Sequence, residues 1–249
     1  MEPKIKNLSS DNELATRAEL LSLFKKCPIP ENELLTHLAL FLKRQDLTKL
    51  LFMDELYRQI LDVQGVVMEF GTRWGRHLAI FQNLRGLYEP YNNARKVIGF
   101  DSFEGFVEVD TKDGKDELVE VGAYSTTEHY EAYLEKVLSC HERESPISHM
   151  KKFEIVKGDA SKTVHAYLDR NPQTLVALAY FDMDVYKPTK ECLLALKSHF
   201  TKGSVIGFDE LAVDNFPGEG LALKEVFGYC AYAIRHSRLG SVQSYLVIT

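Results

Sequence analysis

The 249 residues contain no C-x-x-C pair, no G-x-x-x-x-G-K-[ST] phosphate loop and no apolar run long enough to cross a bilayer. Each absence removes a class of protein. The four cysteines, Cys27, Cys140, Cys192 and Cys230, stand far apart in sequence. Neither a zinc ribbon nor a dithiol redox site is therefore encoded, and reduced, mostly packed thiols in a cytoplasmic protein are expected. The apolar run 175–181 falls far short of the roughly 20 residues that a membrane-spanning helix needs, so no membrane partner is expected. Residues 1–10 are polar with no apolar core, so no secretory leader is expected either. Basic charge is in deficit, with 30 Lys and Arg against 36 Asp and Glu, for a net charge of −6. That argues against nucleic acid as a partner, since phosphate contacts need clustered cations. It does not exclude small anionic ligands, which one local basic group can hold.

What is present suits a globular chain. Apolar residues make up 45% and charged residues 27%, enough apolar surface to offset chain entropy. A chain of this size buries roughly 70–75% of its unfolded surface and needs no disulfide staples. Residues 1–12 are polar and are expected to be loose. Three amphipathic helices then follow. The second comes after Pro30 and carries Leu34, Leu35, Leu38, Phe41 and Leu42. The third carries Leu47, Leu50, Met53, Tyr57 and Ile60. This helical extension, 1–63, would cover a sheet, lid a site or make an oligomer contact. The apolar residues between 31 and 61 exceed what one sheet face needs, so a homo-oligomer is expected.

From Gln64 onward the pattern changes, and a second unit, 64–249, begins. β-Branched runs alternate with helical stretches, which predicts βαβ units and a mostly parallel sheet. Strands are expected over 65–70, 96–100, 153–156, 175–181 and 204–208. Helices are expected over 75–87, 127–139, 160–169 and 189–200, with another after Gly220. Runs 232–236 and 243–248, joined by a short turn at Leu239-Gly240, predict an antiparallel terminal hairpin. The polar stretch 104–125 has no period, and a loop of that length is usually functional or mobile.

Four clusters could carry chemistry. The first is Glu69-Phe70-Gly71-Thr72-Arg73-Trp74-Gly75, straight after the first parallel strand. Glycines there let a ligand approach the backbone, and the following helix offers free N–H groups. The spacing G-x-x-x-G lacks the middle glycine that a dinucleotide pyrophosphate needs, which counts against NAD and FAD. Alone, the cluster reads equally well as a tight turn or a nucleoside site. Asp101 ends the second strand, with Ser102 beside it. A carboxylate there can accept from both hydroxyls of a ribose. Asp159, in Lys157-Gly158-Asp159-Ala160, is either an N-cap or a contact to an adenine edge. The last cluster is acidic. Strand four ends in Asp182-Met183-Asp184 and strand five in Asp209-Glu210. Carboxylates converging beyond the strand ends repel unless a cation neutralises them, and oxygen-only ligands favour a hard divalent ion such as Mg²⁺. The histidines at 129, 141, 149, 165, 199 and 236 are scattered and suggest no ligand set.

At this point the motifs resemble a known family. E-x-G-x-x-x-G after strand one, an acid after strand two and a terminal hairpin look like a class I S-adenosylmethionine-dependent methyltransferase. More narrowly, three segments resemble the macrocin and mycinamicin sugar O-methyltransferases, the TylF/MycF family. They are Gly99-Phe100-Asp101-Ser102-Phe103-Glu104-Gly105-Phe106, Asp182-Met183-Asp184-Val185-Tyr186-Lys187-Pro188-Thr189 and Gly203-Ser204-Val205-Ile206-Gly207-Phe208-Asp209-Glu210. The resemblance spans about residues 51–223. It implies a Rossmann-like seven-stranded sheet and S-adenosylmethionine held by Glu69, Gly71, Thr72, Gly75, Asp101, Ser102, Gly158 and Asp159. It also implies a Mg²⁺ (or Mn²⁺) ion on Asp182, Asp209 and Glu210, with Asp182 as general base. The family pair after strand five is Asp-Asp, so Glu210 is a departure.

The implied acceptor is a small-molecule deoxysugar, nucleotide-activated or already attached to a natural product. A rhamnose-type sugar, as in enediyne antibiotic pathways, is one candidate. Polyphenols are another, because metal-dependent catechol methylation uses a similar acid arrangement. Asp184 tunes the site or caps the next helix, and Trp74 packs or lines the acceptor pocket. A nucleotide-sugar glycosyltransferase using Asp182-x-Asp184 is the rival reading. It leaves Glu69, Gly75 and Asp101 unused. A non-catalytic nucleoside-binding protein is a third.

Overall fold

The computed structural model describes residues 10–114, 119–240 and 242–249. The first nine residues of the polar start and residues 115–118 of the long loop lie outside them. Five parallel strands form the centre of one sheet: β1 (Val66–Phe70), β2 (Val97–Asp101), β3 (Phe153–Lys157), β4 (Val176–Phe181) and β5 (Phe200–Phe208). β6 (Arg235–His236) and β7 (Ser244–Val247) complete it as an antiparallel edge, in the order β3-β2-β1-β4-β5-β7-β6. β4 lies in the middle and is buried at every position. That is why its sequence reads as a continuous apolar run rather than an alternation.

Side chains alternate along the inner strands and feed two cores. Met68, Phe70, Ile98, Phe100, Phe181 and Phe208 pack on helices α6 (Ala160–Arg170), α7 (Tyr186–Leu196) and α8 (Gly218–Val226). Val67, Val97, Leu178, Tyr180 and Val205 pack on α3 (Arg44–Gln59), α4 (Arg76–Tyr88) and α5 (Tyr130–Glu144). α3 carries the extension onto the sheet by burying Phe52, Met53, Leu56 and Tyr57. Arg95 pins its far end. It is 1% exposed, and its Nη2 donates to the carbonyls of Ile60 (2.9 Å) and Val63 (2.8 Å) while Nε donates to Glu89 at 2.7 Å.

Several expected boundaries moved, for identifiable reasons. The second prefix helix is not one helix. It is a single turn, α2 (Glu31–Leu34), followed by a 3₁₀ turn at Leu38–Phe41. Leu35, Leu38, Leu40 and Leu42 stay exposed, so apart from Phe41 against Phe24 little packing among the described residues offsets the cost of helix nucleation. α7 starts at Tyr186, three residues before the expected Thr189. Pro188 is tolerated in the first turn, where its missing N–H has no partner to lose. β6 is only two residues long, because Tyr232 turns away to pack on Phe227 at 5.9 Å. α1 (Asp11–Lys25), held by a Ser10–Glu13 capping box, buries none of its residues.

Candidate active site

Beneath the site runs a row of phenylalanines. Phe100, Phe70, Phe181 and Phe208 sit in register on β2, β1, β4 and β5. Neighbouring rings stack with centroids 4.8, 4.9 and 5.4 Å apart. The next residues are Gly71, Asp101, Asp182 and Asp209. A one-residue slip of any strand would break this row and turn an acid into the core, so the ladder fixes the acids at one level. Gly71 is indispensable for the approach. At φ 92°, any Cβ would lie 2.0 Å from the Asp182 carbonyl oxygen. A cleft of about 450 Å³ opens above this floor.

One half of the cleft is built around Asp101. Its Oδ2 accepts from the Arg73 N–H at 2.7 Å and its Oδ1 from the Phe103 N–H. Arg73 and Phe103 both have positive φ, at 46° and 59°, so the two turns wrap around the carboxylate. Burial pushes Asp101 up from the usual carboxylate range, and these backbone bonds oppose the push. Each of its oxygens keeps a lone pair for a ligand hydroxyl. Gly71, Thr72, Ser102, Gly158 and Asp159 also line the cleft. Ser102 spends its hydroxyl on the turn, donating to the Gly105 carbonyl at 2.8 Å. Asp159 caps α6 through the Ser161 N–H at 3.1 Å while still lining the cleft.

Glu69 and Gly75 do not reach the lining. Glu69 is sealed below it, 3.2 Å from His77 Nδ1. Gly75, at φ 76°, leaves room for Leu134 of α5, whose Cδ1 a Cβ would meet at 2.3 Å.

The other half is acidic. The Asp182 N–H donates to the Phe70 carbonyl and the Asp209 N–H to the Phe181 carbonyl, extending the ladder one residue past the strands. Asp209 is fully engaged. Oδ2 accepts from Lys49 Nζ at 2.7 Å, and Oδ1 from Tyr180 Oη at 2.8 Å and Gln243 Nε2 at 3.3 Å. The Lys49 ammonium, on α3, heads the groups that hold its carboxyl below the usual range against burial. Asp182 is more open, with its side chain 25% exposed and Oδ2 3.5 Å from His77 Nδ1. Burial, then the Asp209 carboxylate, pushes its pKa up. The same causes push Glu210 up to about 7, and its Oε2 is buried with no hydrogen-bond partner. Asp184, at φ 61°, lines the cleft and donates its N–H to Glu219 Oε1 at 3.3 Å. Among the described residues, no three His, Cys, Asp or Glu side chains are arranged as a ready-made metal shell.

Sequence reading missed Lys49, His77, Tyr180 and Glu219. Lys49 comes from the extension, 160 residues from its partner Asp209, and no local pattern announces such a contact. His77 was more accessible. It lies in the first turn of α4, two residues past Gly75, on the helix that the glycine turn opens. Glu219 is fully buried and accepts from the N–H groups of Met183 and Asp184, fixing the strand-four turn. Trp74 both packs and lines, meeting Tyr130 edge-on at 4.7 Å while facing the cleft.

No protein-family model and no curated protein matches the sequence. Solved structures do. The crystal structure of CalS11, a calicheamicin methyltransferase, is 43% identical with a TM-score of 0.94, covering 99% of this chain and 98% of that one. The apo structure of CalS11, described as a TDP-rhamnose 3′-O-methyltransferase of calicheamicin biosynthesis, is 42% identical with a TM-score of 0.86, covering 97% of this chain and 96% of that one. The O-methyltransferase NovP shares the fold at 16% identity and a TM-score of 0.61, covering 81% of this chain and 80% of that one. The match runs through both the extension and the sheet, and the rival glycosyltransferase reading falls. The chain belongs to the S-adenosylmethionine-dependent sugar O-methyltransferase family.

Proposed function

We propose that this enzyme methylates a hydroxyl of a rhamnose-type deoxysugar carried on a nucleotide, in the assembly of a glycosylated natural product. The observation that carries the reading is the cleft itself. A ribose-type acid, Asp101, and a sugar-type acid cluster, Asp182 with Asp209 and Glu210, lie at one level in one cavity. Near-complete coverage at 42% identity with a TDP-rhamnose 3′-O-methyltransferase supports the acceptor class.

The roles follow from what each residue has free. Asp101 holds the ribose hydroxyls of S-adenosylmethionine, and Gly71, Thr72, Gly158 and Asp159 line the place for the rest of the adenosyl group. Asp182 is the base, because Asp209 is spent on three donors and Glu69 is sealed below the floor. The sugar oxygen attacks the methyl carbon in line with the sulfur. The C–O bond forms as the C–S bond breaks, the electron pair passes to sulfur, and the hydroxyl proton passes to Asp182. His77, between Glu69 and Asp182, orients the base.

The chemistry of the donor set, though not its present arrangement, suits a hard divalent ion, which would have to displace the Lys49 ammonium from Asp209. All candidate ligands are carboxylates, and the Glu210 Oε2 is buried without a partner. Asp182, Asp209 and Glu210 would hold the ion, which would lower the pKa of the sugar hydroxyl. Lys49 supplies the positive charge in the structure described here. The exposed leucines of the extension support the further reading that the enzyme is a homo-oligomer. Methyl transfer measured over a panel of nucleotide-sugars and glycosides, with and without EDTA, tests the reading. Turnover with a TDP-deoxysugar is expected. Turnover confined to polyphenols would overturn the acceptor class.

A further inference from the structure

Four cationic side chains line the cleft: Lys49, Arg73, Arg76 and Lys187. Three are matched by carboxylates. Lys49 lies 2.7 Å from Asp209, Arg76 3.3 Å from Asp46 and Lys187 2.6 Å from Glu108. Arg73 differs. Its guanidinium sits against the Tyr124 ring at 5.0 Å and the Trp74 ring at 5.8 Å. Its Nε and Nη2 are buried and have no hydrogen-bond partner. Asp101, Asp182 and Asp184 are near enough to act on its charge, yet none forms an ion pair with it among the described residues. A buried donor without an acceptor is destabilising and is retained where something else fills it.

The backbone holds this side chain in place at some cost. Arg73 sits at φ 46°, a region that L-residues avoid, and its N–H is tied to Asp101 at 2.7 Å. The guanidinium therefore lies within reach of both the ribose acid and the acid cluster, in the part of the cleft that the two ligands would share. A guanidinium fork matches a two-oxygen anion, and flat aromatic neighbours shield that contact from water. Both ligands of the proposed reaction carry such a group. The methyl donor has one carboxylate on its amino-acid arm, and a nucleotide-sugar has a diphosphate.

We propose that Arg73 is the anion-holding residue of the cleft, donating to the carboxylate of the methyl donor or to the diphosphate of the nucleotide-sugar. The proposal rests on the methyltransferase reading. Calorimetry on the full chain and on Arg73→Met tests it with two probe pairs. S-Adenosylhomocysteine is compared with 5′-methylthioadenosine, which lacks the amino-acid arm. Thymidine diphosphate is compared with thymidine. Arg73→Met is expected to weaken one anionic probe about 10- to 100-fold, the size of a lost charge-assisted hydrogen bond, and to leave its truncated partner unchanged.

A loss on S-adenosylhomocysteine assigns the carboxylate, and a loss on thymidine diphosphate assigns the diphosphate. Arg73→Lys should recover part of the loss. If Arg73→Met does not fold, Arg73→Gln carries the same comparison. Unchanged affinity for both anionic probes in a folded variant would overturn the proposal. A parent chain that binds no S-adenosylhomocysteine would instead strike at the methyltransferase reading, and the diphosphate pair would still decide the role of Arg73.

Discussion

In the proposed reading Asp101 and Asp182 divide the labour of the cleft, and substitutions should separate them. Asp101→Ala removes two charge-assisted acceptors for ribose and also frees the Arg73 and Phe103 N–H groups that wrap it. At roughly 1.5–3 kcal/mol for each such bond, S-adenosylhomocysteine should bind at least about tenfold more weakly by calorimetry. Asp182→Asn should leave that affinity intact while lowering kcat by about 10²–10⁴-fold, the usual worth of a general base. A variant that lost both together would mean that Asp182 shapes the donor site instead. Metal removal probes the Asp209–Glu210 pair together with Asp182. EDTA should abolish turnover, and Mg²⁺ should restore it. Lys49→Met, by removing the ammonium from Asp209, should tighten Mn²⁺ binding as read by electron paramagnetic resonance. If Mn²⁺ binds neither the parent nor this variant, the acids serve without a metal.

Among the elements, α3 joins the extension to the catalytic sheet, and Arg95 is the fastening. Its guanidinium holds the carbonyls that follow α3 and the carboxylate of Glu89, which in turn accepts from Tyr57 of α3 at 2.7 Å. Arg95→Met would leave the carbonyls without this donor and Glu89 without its counter-charge, holding only Tyr57 and Asn92 among the described residues. A loss of roughly 3–5 kcal/mol is expected from broken buried pairs of this kind, visible as a lower Tm. Lys49 sits on the same helix, so loosening α3 should weaken its contact with Asp209 as well.

The sheet was legible in the sequence because β1, β2, β4 and the 204–208 end of β5 are mainly apolar runs, each followed by a residue that breaks the pattern, whereas the polar 201–203 stretch hides the start of β5. The acids Asp101, Asp182, Asp209 and Glu210 could be placed because strand ends in a parallel sheet face one side. Lys49, Tyr180 and Gln243 could not, because a contact between distant elements leaves no local periodicity. The second prefix helix was misread for the opposite reason. Its leucines have helical spacing, but among the described residues nothing covers Leu35, Leu38, Leu40 and Leu42.

At the level of the whole molecule, those leucines remain to be accounted for. α1 buries no residue, and Leu21, Leu23, Leu35 and Leu40 are all more than half exposed. Scattered apolar side chains are ordinary on a surface, but these are gathered in one stretch of chain ahead of α3. Burying them would release roughly 25 cal/mol per Å² of apolar surface, enough to favour association when two copies bring the same stretch together. A second copy is the occupant we expect, since an isologous contact supplies the complementary apolar face without another protein. Light scattering at micromolar concentration should then give a mass of at least twice the 28.4 kDa chain. Leu35→Glu with Leu40→Glu should return it toward a single copy and leave the Tm of the sheet domain nearly unchanged, because neither residue is buried in the monomer. A parent chain that scatters as a 28.4 kDa particle under these conditions would show that the leucines are covered in some other way.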